Sequence, residues 1–351
     1  MAIQQPVTVP FSTSEIEGVG GELKQSYRDF VVDEIPAYEP SGQGKHWFLR
    51  IESANCDGKT LLETVATHFG VLPEEVSTAG TKDKVAITRQ WISLPDKKGL
   101  KIDPEVGALS ESIEVLEVSR HSNKLRTGHL KGNRFEVCLR NTKLQGEPLR
   151  ERVEVIAARI RAQGVGNGYG EQRFGSGASN LTAGLTWLKG GHGPRGKFLR
   201  SMALSAVQSE VFNRVLKRRM EEGTWLQALP GDIFEKRESG GKFWVEESEL
   251  GDVQRRIESG EVGVTGPMPG SKVGLASDMA GEIEREALHS LGLKEEELSS
   301  FGRQARGARR VLSLSMEEFT FRFEGENAVW LSFSLPSGSY ATIVVEEFRK
   351  C

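Results

Sequence analysis

The sequence predicts an α+β fold in which one sheet domain is interrupted by an inserted domain. Three observations indicate this arrangement. Strand-like segments lie near both ends of the chain, helical patterns fill the middle, and a glycine-rich stretch at 164–180 separates the two kinds of pattern. With 351 residues, the chain is long enough for two ordinary domains, each with its own core.

The first segment, to about residue 145, mixes strands and helices. Alternating apolar residues predict strands, and Asp57 followed by apolar residues at helical spacing and by Gly70 predicts a capped helix. In order, we expect strands at 28–36 and 45–53, a helix at 57–71, a short helix, turn and strand within 73–94, strands at 111–121 and 133–140, and a helix at 146–164.

The rest of the chain begins with a helical pattern and ends with strand-like sequence. A helical pattern covers 198–223, and polar, glycine-rich sequence with short strands follows as far as about residue 274. A second helical pattern covers 279–298. The segment 316–348 is rich in aromatic and β-branched residues, so we expect it to return to strands. We therefore place domain boundaries so that 1–164 and 313–351 form one domain and 165–312 forms the insert.

Composition and motifs argue against most cofactor-dependent enzymes. "GHGPRGKF" resembles a phosphate-binding loop but has Phe198 where Ser or Thr would bind magnesium, and six histidines show no ligand spacing. Three cysteines form no CxxC pair. We expect neither a metal nor a cofactor. Since no apolar run could span a bilayer and no signal peptide is apparent, we expect a cytoplasmic protein without membrane contact.

The stretch "AGTKDKVAITRQW" places one carboxylate, Asp83, between Lys82 and Lys84. Such a sequence is typical of a turn, in which the acid and its flanking lysines are simply exposed to solvent. The same cations would also favour the ionised form of a carboxylate that acts as a nucleophile or base. Spacing alone leaves both interpretations open.

Basic residues are concentrated in four clusters, although the net charge is −3. The longest, 120–134, contains five Lys or Arg residues and no acid, and "RGKFLR", "NRVLKRRM" and "GRQARGARR" supply the others. Each cluster could be a solvated surface, but segregated positive charge is what nucleic-acid phosphates require. Phenylalanines 30, 135, 174 and 333 lie beside charged or glycine-rich segments, where a ring could pack in the core or stack on a base.

Several motifs together resemble the TruD family of tRNA pseudouridine synthases. "STAGTKDKVAITRQW" is similar to the family's nucleophile motif. Further similar segments occur in the same order, namely "LKQSYRDFVVDE", "RHSNKLRTGHLKGNRF", "GYGEQRFG", "LRSMALSAVQSEVFNRVL" and "LPSGSYATIVVEEF". The resemblance implies a catalytic domain with a mixed or antiparallel pseudouridine-synthase sheet, interrupted by an α+β TRUD domain.

The resemblance also implies the reaction and its residues. The uridine at position 13 of tRNA would be isomerised to pseudouridine without a cofactor. Asp83 would be the nucleophile, Lys24 its basic partner and Lys82 a neighbouring catalytic group. The substrate pocket would contain Phe30, Asn133, Phe135 and Phe333, and the RNA backbone would meet Lys124, Arg126, Lys131, Arg134 and Arg173.

Two other function classes compete with this hypothesis. An RNA-binding or RNA-chaperone protein could retain the scaffold without catalysis, although it would not need a cation-paired Asp in a pocket. A metal-dependent hydrolase would lose activity to chelators, and we expect none to be lost. We expect a monomer whose partner is tRNA.

Overall fold

The computed structural model describes residues 5–97, 100–299, 302–316 and 318–350. The outer limits of the predicted domains, residues 1 and 351, therefore lie outside the described residues. The helices are α1 (Gly58–Phe69), α2 (Gly146–Gln163), α3 (Ser179–Leu188), α4 (Lys197–Glu221), α5 (Leu250–Glu258), α6 (Asp278–His289), α7 (Glu295–Ser299) and α8 (Ala341–Arg349). The strands are β1 (Glu22–Leu23), β2 (Phe30–Pro36), β3 (His46–Ala54), β4 (Ser77–Thr78), β5 (Ile87–Pro95), β6 (Gly107–Ser110), β7 (Ile113–His121), β8 (Leu130–Arg140), β9 (Val165–Gly166), β10 (Phe234–Lys236), β11 (Lys242–Phe243), β12 (Val262–Met268), β13 (Ala308–Val311), β14 (Ser313–Leu314), β15 (Thr320–Glu324) and β16 (Ala328–Pro336).

The chain separates into two compact units. The sheet unit comprises Glu17–Ala158, Glu318–Ala341 and Phe348–Cys351, and the helical unit comprises Met1–Ile16, Arg159–Glu317 and Thr342–Glu347. The assignment of 1–164 and 313–351 to a catalytic domain and of 165–312 to a TRUD domain stays a prediction.

The sheet unit is built on ten strands. Their order is β15-β16-β8-β2-β5-β3-β7-β6, with β1 added to β8 and β4 added to β5. β2 and β5 run parallel, and the other pairs are antiparallel, so the sheet is mixed. The long strand β8 lies between β2 and β16, and it therefore brings residues from both ends of the chain into one register.

Helix α1 forms where the sequence predicts it. The Asp57 side chain accepts the Thr60 NH at 2.9 Å, and Gly70 ends the helix in the left-handed region at φ 72°. Its apolar face, including Leu61, Val65 and Phe69, packs in one core cluster with apolar residues of β3 and β5. This packing fixes one side of β5, the strand that follows the Asp83 loop.

The helical unit carries the longest helix. α4 has 25 residues, and most of its residues from Ala203 onward are buried. Two smaller sheets accompany the helices, one in the order β11-β10-β12-β13 and one formed by β9 and β14. Within the described part of the chain, no helix has both the length and the apolar character needed to cross a membrane.

The last segment corrects the expectation of strands up to residue 348. Ala341–Arg349 is a helix, although it contains the β-branched run Ile343, Val344 and Val345. Its buried apolar residues are Ala341, Val344, Val345 and Phe348, a spacing that follows one face of a helix. Burial of this face outweighs the local preference of β-branched residues for strands.

Candidate active site

Asp83 lies in the loop between β4 and β5, where it pairs with Lys24. The Lys24 Nζ is 3.4 Å from Asp83 Oδ1, and the two side chains are 30% and 50% exposed. Lys24 follows directly after β1 and has a φ of 55°, in the left-handed region that non-glycine residues seldom adopt. A conformation of this kind costs about 1–2 kcal/mol, so the fold holds Lys24 in place against a local preference.

The same ammonium group also lies over an aromatic ring. Lys24 Nζ is 4.0 Å from the centroid of Phe30, the first residue of β2. The single helical turn before Phe30 is held by Ser26, whose NH donates to Asp29 Oδ2 at 2.9 Å. The cation is therefore attracted both by the ring face and by the Asp83 carboxylate.

Three of the predicted substrate-binding residues form a continuous aromatic row. The Phe30 and Phe135 rings meet edge to face at 6.2 Å, and Phe135 stacks on Phe333 at 5.6 Å. The second contact follows from register, since Phe135 of β8 lies directly opposite Phe333 of β16. All three rings are buried, with Phe135 6% exposed, so a base could reach Phe135 only through the small part that remains accessible.

Asn133 lies on the same face of β8 as Phe135, two residues earlier along the strand. Its Oδ1 is buried and has no hydrogen-bond partner among the described residues. The position of Asn133 depends on Gly132, because a Cβ at Gly132 would lie 2.1 Å from the Leu335 carbonyl oxygen. A buried amide oxygen without a partner is costly in a folded protein, which makes it a candidate for contact with a ligand.

Glu34 is a site residue that the motifs did not single out. Lys82 Nζ donates to Glu34 Oε2 at 2.6 Å, and these side chains are only 7% and 1% exposed. The pairing of β2 with β5 ends at Asp33, and beyond it the other Glu34 oxygen accepts the Trp91 NH at 3.2 Å. Lys82 therefore points to a buried acid on β2 and anchors the loop that presents Asp83.

Comparisons with known proteins decide the family. The family described as "tRNA pseudouridine synthase D (TruD)" matches residues 8–191 and 196–348. The chain belongs to this family. It is 38% identical to tRNA pseudouridine synthase D of Thermus thermophilus over 349 residues, which cover 99% of the chain and 93% of the relative. It is also 38% identical to the Anaeromyxobacter sp. protein of the same name over 348 residues, which cover 97% and 96%.

A solved structure agrees with these relatives. A putative tRNA pseudouridine synthase D (TruD) from Methanosarcina mazei matches with a TM-score of 0.80 and 26% identity, covering 97% of this chain and 96% of that one. The family resemblance and the α+β fold class predicted from the sequence are confirmed. Pseudouridine synthases are isomerases, and the chain is an enzyme of this class.

Four of the basic residues predicted to meet RNA in this TruD family member lie in one part of the sheet unit. Lys124, Arg126, Lys131 and Arg134 are all exposed. The loop between β7 and β8 is fixed beneath them, since Leu125 is buried with Trp91. Two backbone donors hold it further: the Leu125 NH donates to Ser93 Oγ at 2.9 Å, and the Gly128 NH donates to the Ala79 carbonyl at 2.8 Å. This loop at 122–129, the basic loop, is therefore attached to the loop that carries Asp83.

Aromatic and histidine side chains line the base of this basic loop. The Tyr38 hydroxyl and His129 Nδ1 are 2.7 Å apart, and the Tyr38 ring stacks on His121 at 4.9 Å. Desolvation raises the pKa of Tyr38, with the Arg126 charge opposing it. Desolvation lowers the pKa of His46, and the nearby Lys124 and His121 lower it further. Both shifts favour the neutral forms of these side chains.

Arg173 belongs to the helical unit, unlike the other predicted RNA-contact residues. Its Nε donates to Ser209 Oγ at 3.1 Å, and a second guanidinium nitrogen donates to Ser205 Oγ. The guanidinium also lies 5.3 Å from the Tyr169 ring centroid. These contacts hold Arg173 to α4 and to the glycine-rich segment, and its role toward RNA stays a prediction.

Proposed function

We propose that this protein isomerises the uridine at position 13 of tRNA to pseudouridine, with Asp83 as the acting carboxylate and without a cofactor. The observation that carries the proposal is the Lys24–Asp83 ion pair beside the Phe30 ring. Phe30 is in turn in contact with Phe135, and Asn133, whose Oδ1 has no partner among the described residues, lies two residues before Phe135 on the same strand.

The reaction requires no redox partner and no water. The N1–C1′ bond breaks, the uracil turns, and a C5–C1′ bond forms. The C5 proton is then lost and N1 gains a proton, so the product is an isomer of the substrate. A carboxylate can promote cleavage by attacking C1′, by adding to the base or by removing a ribose proton. Each route needs a carboxylate placed at the nucleoside, and the Lys24 ammonium, 3.4 Å from Asp83 Oδ1, helps to orient this one.

The detached uracil must be held while it turns. In the proposal, the Asn133 oxygen accepts the imide N3–H of the uracil, and the accessible part of Phe135 contacts the ring. Retaining the base in this way makes recombination at C5 an intramolecular event. Because a uridine within folded RNA presents its C1′ poorly, the nucleotide is flipped out while Lys124, Arg126, Lys131 and Arg134 hold the phosphates.

The proposal is tested by tritium release from tRNA labelled at uridine C5, followed by mapping of the pseudouridine. We expect release that is matched by one pseudouridine at position 13, that is unchanged by a chelator, and that is lost when position 13 is changed to cytidine. Tight tRNA binding without any release would instead favour an RNA-binding protein. Loss of activity on chelation would favour a metal-dependent reaction.

A further inference from the structure

A highly exposed phenylalanine lies in the helical unit at the start of α4. Phe198 is 73% exposed and the adjoining Leu199 is 50% exposed. Full burial of a phenylalanine is worth on the order of 1.5–3 kcal/mol, so a ring left this open contributes little to folding. Adjoining exposed apolar side chains that are rimmed by polar residues mark interaction sites.

The surroundings of Phe198 are positively charged. The sequence from Gln172 to Ser209 contains no Asp or Glu, although the whole chain has 49 acidic residues among 351. Arg195, Lys197 and Arg200 are exposed on either side of the ring. Among the described residues, none of these three has a carboxylate partner within ion-pair distance, so their charge remains available to an anionic ligand.

The segment that leads to Phe198 is held in place by Trp187. The Gly193 backbone packs on this ring so closely that a Cβ at Gly193 would lie 2.6 Å from it. Arg200 stands over the same ring at 5.6 Å, and its Nε donates to the Pro194 carbonyl at 3.0 Å. Arg195 in this loop and the other three residues in the first turn of α4 are therefore presented by a defined segment, which lowers the entropy lost when a ligand binds.

We infer that the Phe198 surface, formed by Arg195, Lys197, Phe198 and Arg200, binds an unpaired nucleotide of the tRNA. The Phe198 ring stacks on the base, and the three cations meet the adjacent phosphates. A base offers a flat face to an exposed ring and a phosphate offers the negative charge that this surface lacks. The inference rests on the proposed function, because it takes tRNA as the substrate.

The chain contains a matched control for this surface. Trp244 is 69% exposed, also in the helical unit, but Glu246, Glu247 and Glu249 follow it closely in the sequence. The two rings are similarly exposed, but the charged residues around them have opposite sign. An acidic neighbourhood repels phosphate. Replacing Trp244 by Ala should therefore leave tRNA binding unchanged.

The test compares the Kd for tRNA of the wild type with those of Phe198→Ala, Phe198→Trp, Phe198→Leu and Trp244→Ala. We expect about a 5- to 100-fold rise in Kd for Phe198→Ala, a similar rise for Phe198→Leu, and wild-type binding for Phe198→Trp. Circular dichroism melting checks the fold of each variant. Ultraviolet crosslinking should attach a nucleotide to the peptide that contains Phe198.

Three results would overturn the inference. Equal Kd values for the wild type, Phe198→Ala and Trp244→Ala show that no base stacks there. Wild-type binding by Phe198→Leu shows an apolar contact without stacking. Self-association of the wild type that Phe198→Ala abolishes assigns the surface to a second copy of the chain. Pseudouridine formation by the wild type is measured separately, so failure of the proposed reaction is distinguishable from failure of this surface.

Discussion

The Lys82–Glu34 ion pair is 2.6 Å long and almost fully buried, whereas the neighbouring Lys24–Asp83 pair is 3.4 Å long with half of its carboxylate side chain exposed. Lys82 and Asp83 are consecutive residues, so one short segment forms both kinds of pair. Removing one partner of a buried pair leaves an uncompensated charge, whereas an exposed pair contributes little to stability. The buried pair therefore holds the loop in place, while the Asp83 carboxylate beside it stays half exposed.

The largest expected effect is the loss of chemistry in Asp83→Asn. Because the amide keeps the shape but cannot act as an anionic nucleophile or base, we expect tritium release to fall by about 10³-fold or more. The free energy of unfolding should change by less than about 1 kcal/mol, since the pair is exposed. Single-turnover release and denaturant unfolding measure the two quantities. A variant that kept near-wild-type release would remove Asp83 from the mechanism.

The structure brings together several of the residues that the sequence indicates, and the absence of Glu34 from that set has a physical explanation. Asp83, Lys24 and the phenylalanines lie in motifs, and the structure brings Lys24 into contact with Asp83 and Phe30. Glu34 was missed because its partner Lys82 is 48 residues away. A usable signal existed, since Asp33 and Glu34 are adjacent in a strand and must point to opposite faces, one of them inward.

Two other features show where local patterns mislead. The sequence of helix α8 predicts a strand, because four of its nine residues are β-branched and consecutive, while the helical spacing of its buried residues is the weaker signal. The exposure of Phe198 cannot be predicted from sequence, because most phenylalanines are buried and only the packing around a residue determines its exposure.

The second prediction breaks the buried pair. Lys82→Met leaves the Glu34 carboxylate buried without its cation, so we expect the free energy of unfolding to fall by about 3–5 kcal/mol. Activity, measured well below the lowered melting temperature, should fall less than in Asp83→Asn, because Asp83, the carboxylate proposed to act, remains. Urea unfolding and tritium release provide both measurements.

A double variant supplies the control for that prediction. In Glu34→Gln with Lys82→Met, no unpaired charge remains, and the glutamine oxygen can still accept the Trp91 NH. We therefore expect the double variant to lose less free energy of unfolding than the two single variants lose in total. Strict additivity would contradict the idea that the two side chains act as one buried pair.

The third prediction removes the cation from the exposed pair. Lys24→Met should change the free energy of unfolding by less than about 1 kcal/mol, because both side chains are substantially exposed. Release should fall by about 10- to 100-fold at saturating tRNA, since the cation that orients the Asp83 carboxylate is lost. Lys24→Arg keeps the charge and should recover part of the rate. Equal rates for Lys24→Met and the wild type would show that the pair plays no part in the chemistry.

The smallest expected effect is on RNA binding, and it comes from Lys131, a residue that belongs to neither ion pair. Lys131 is exposed, has no carboxylate partner among the described residues, and lies two residues before Asn133 on β8. Lys131→Ala should weaken tRNA binding and reduce the slope of log K against log salt concentration by about 0.7–0.9, the contribution of one phosphate contact. Lys59 is a suitable control, because this exposed lysine of α1 already pairs with Glu63 at 3.7 Å. If Lys131→Ala and Lys59→Ala showed the same salt dependence as the wild type, Lys131 would not contact an RNA phosphate, and the orientation of the tRNA would have to depend on other residues.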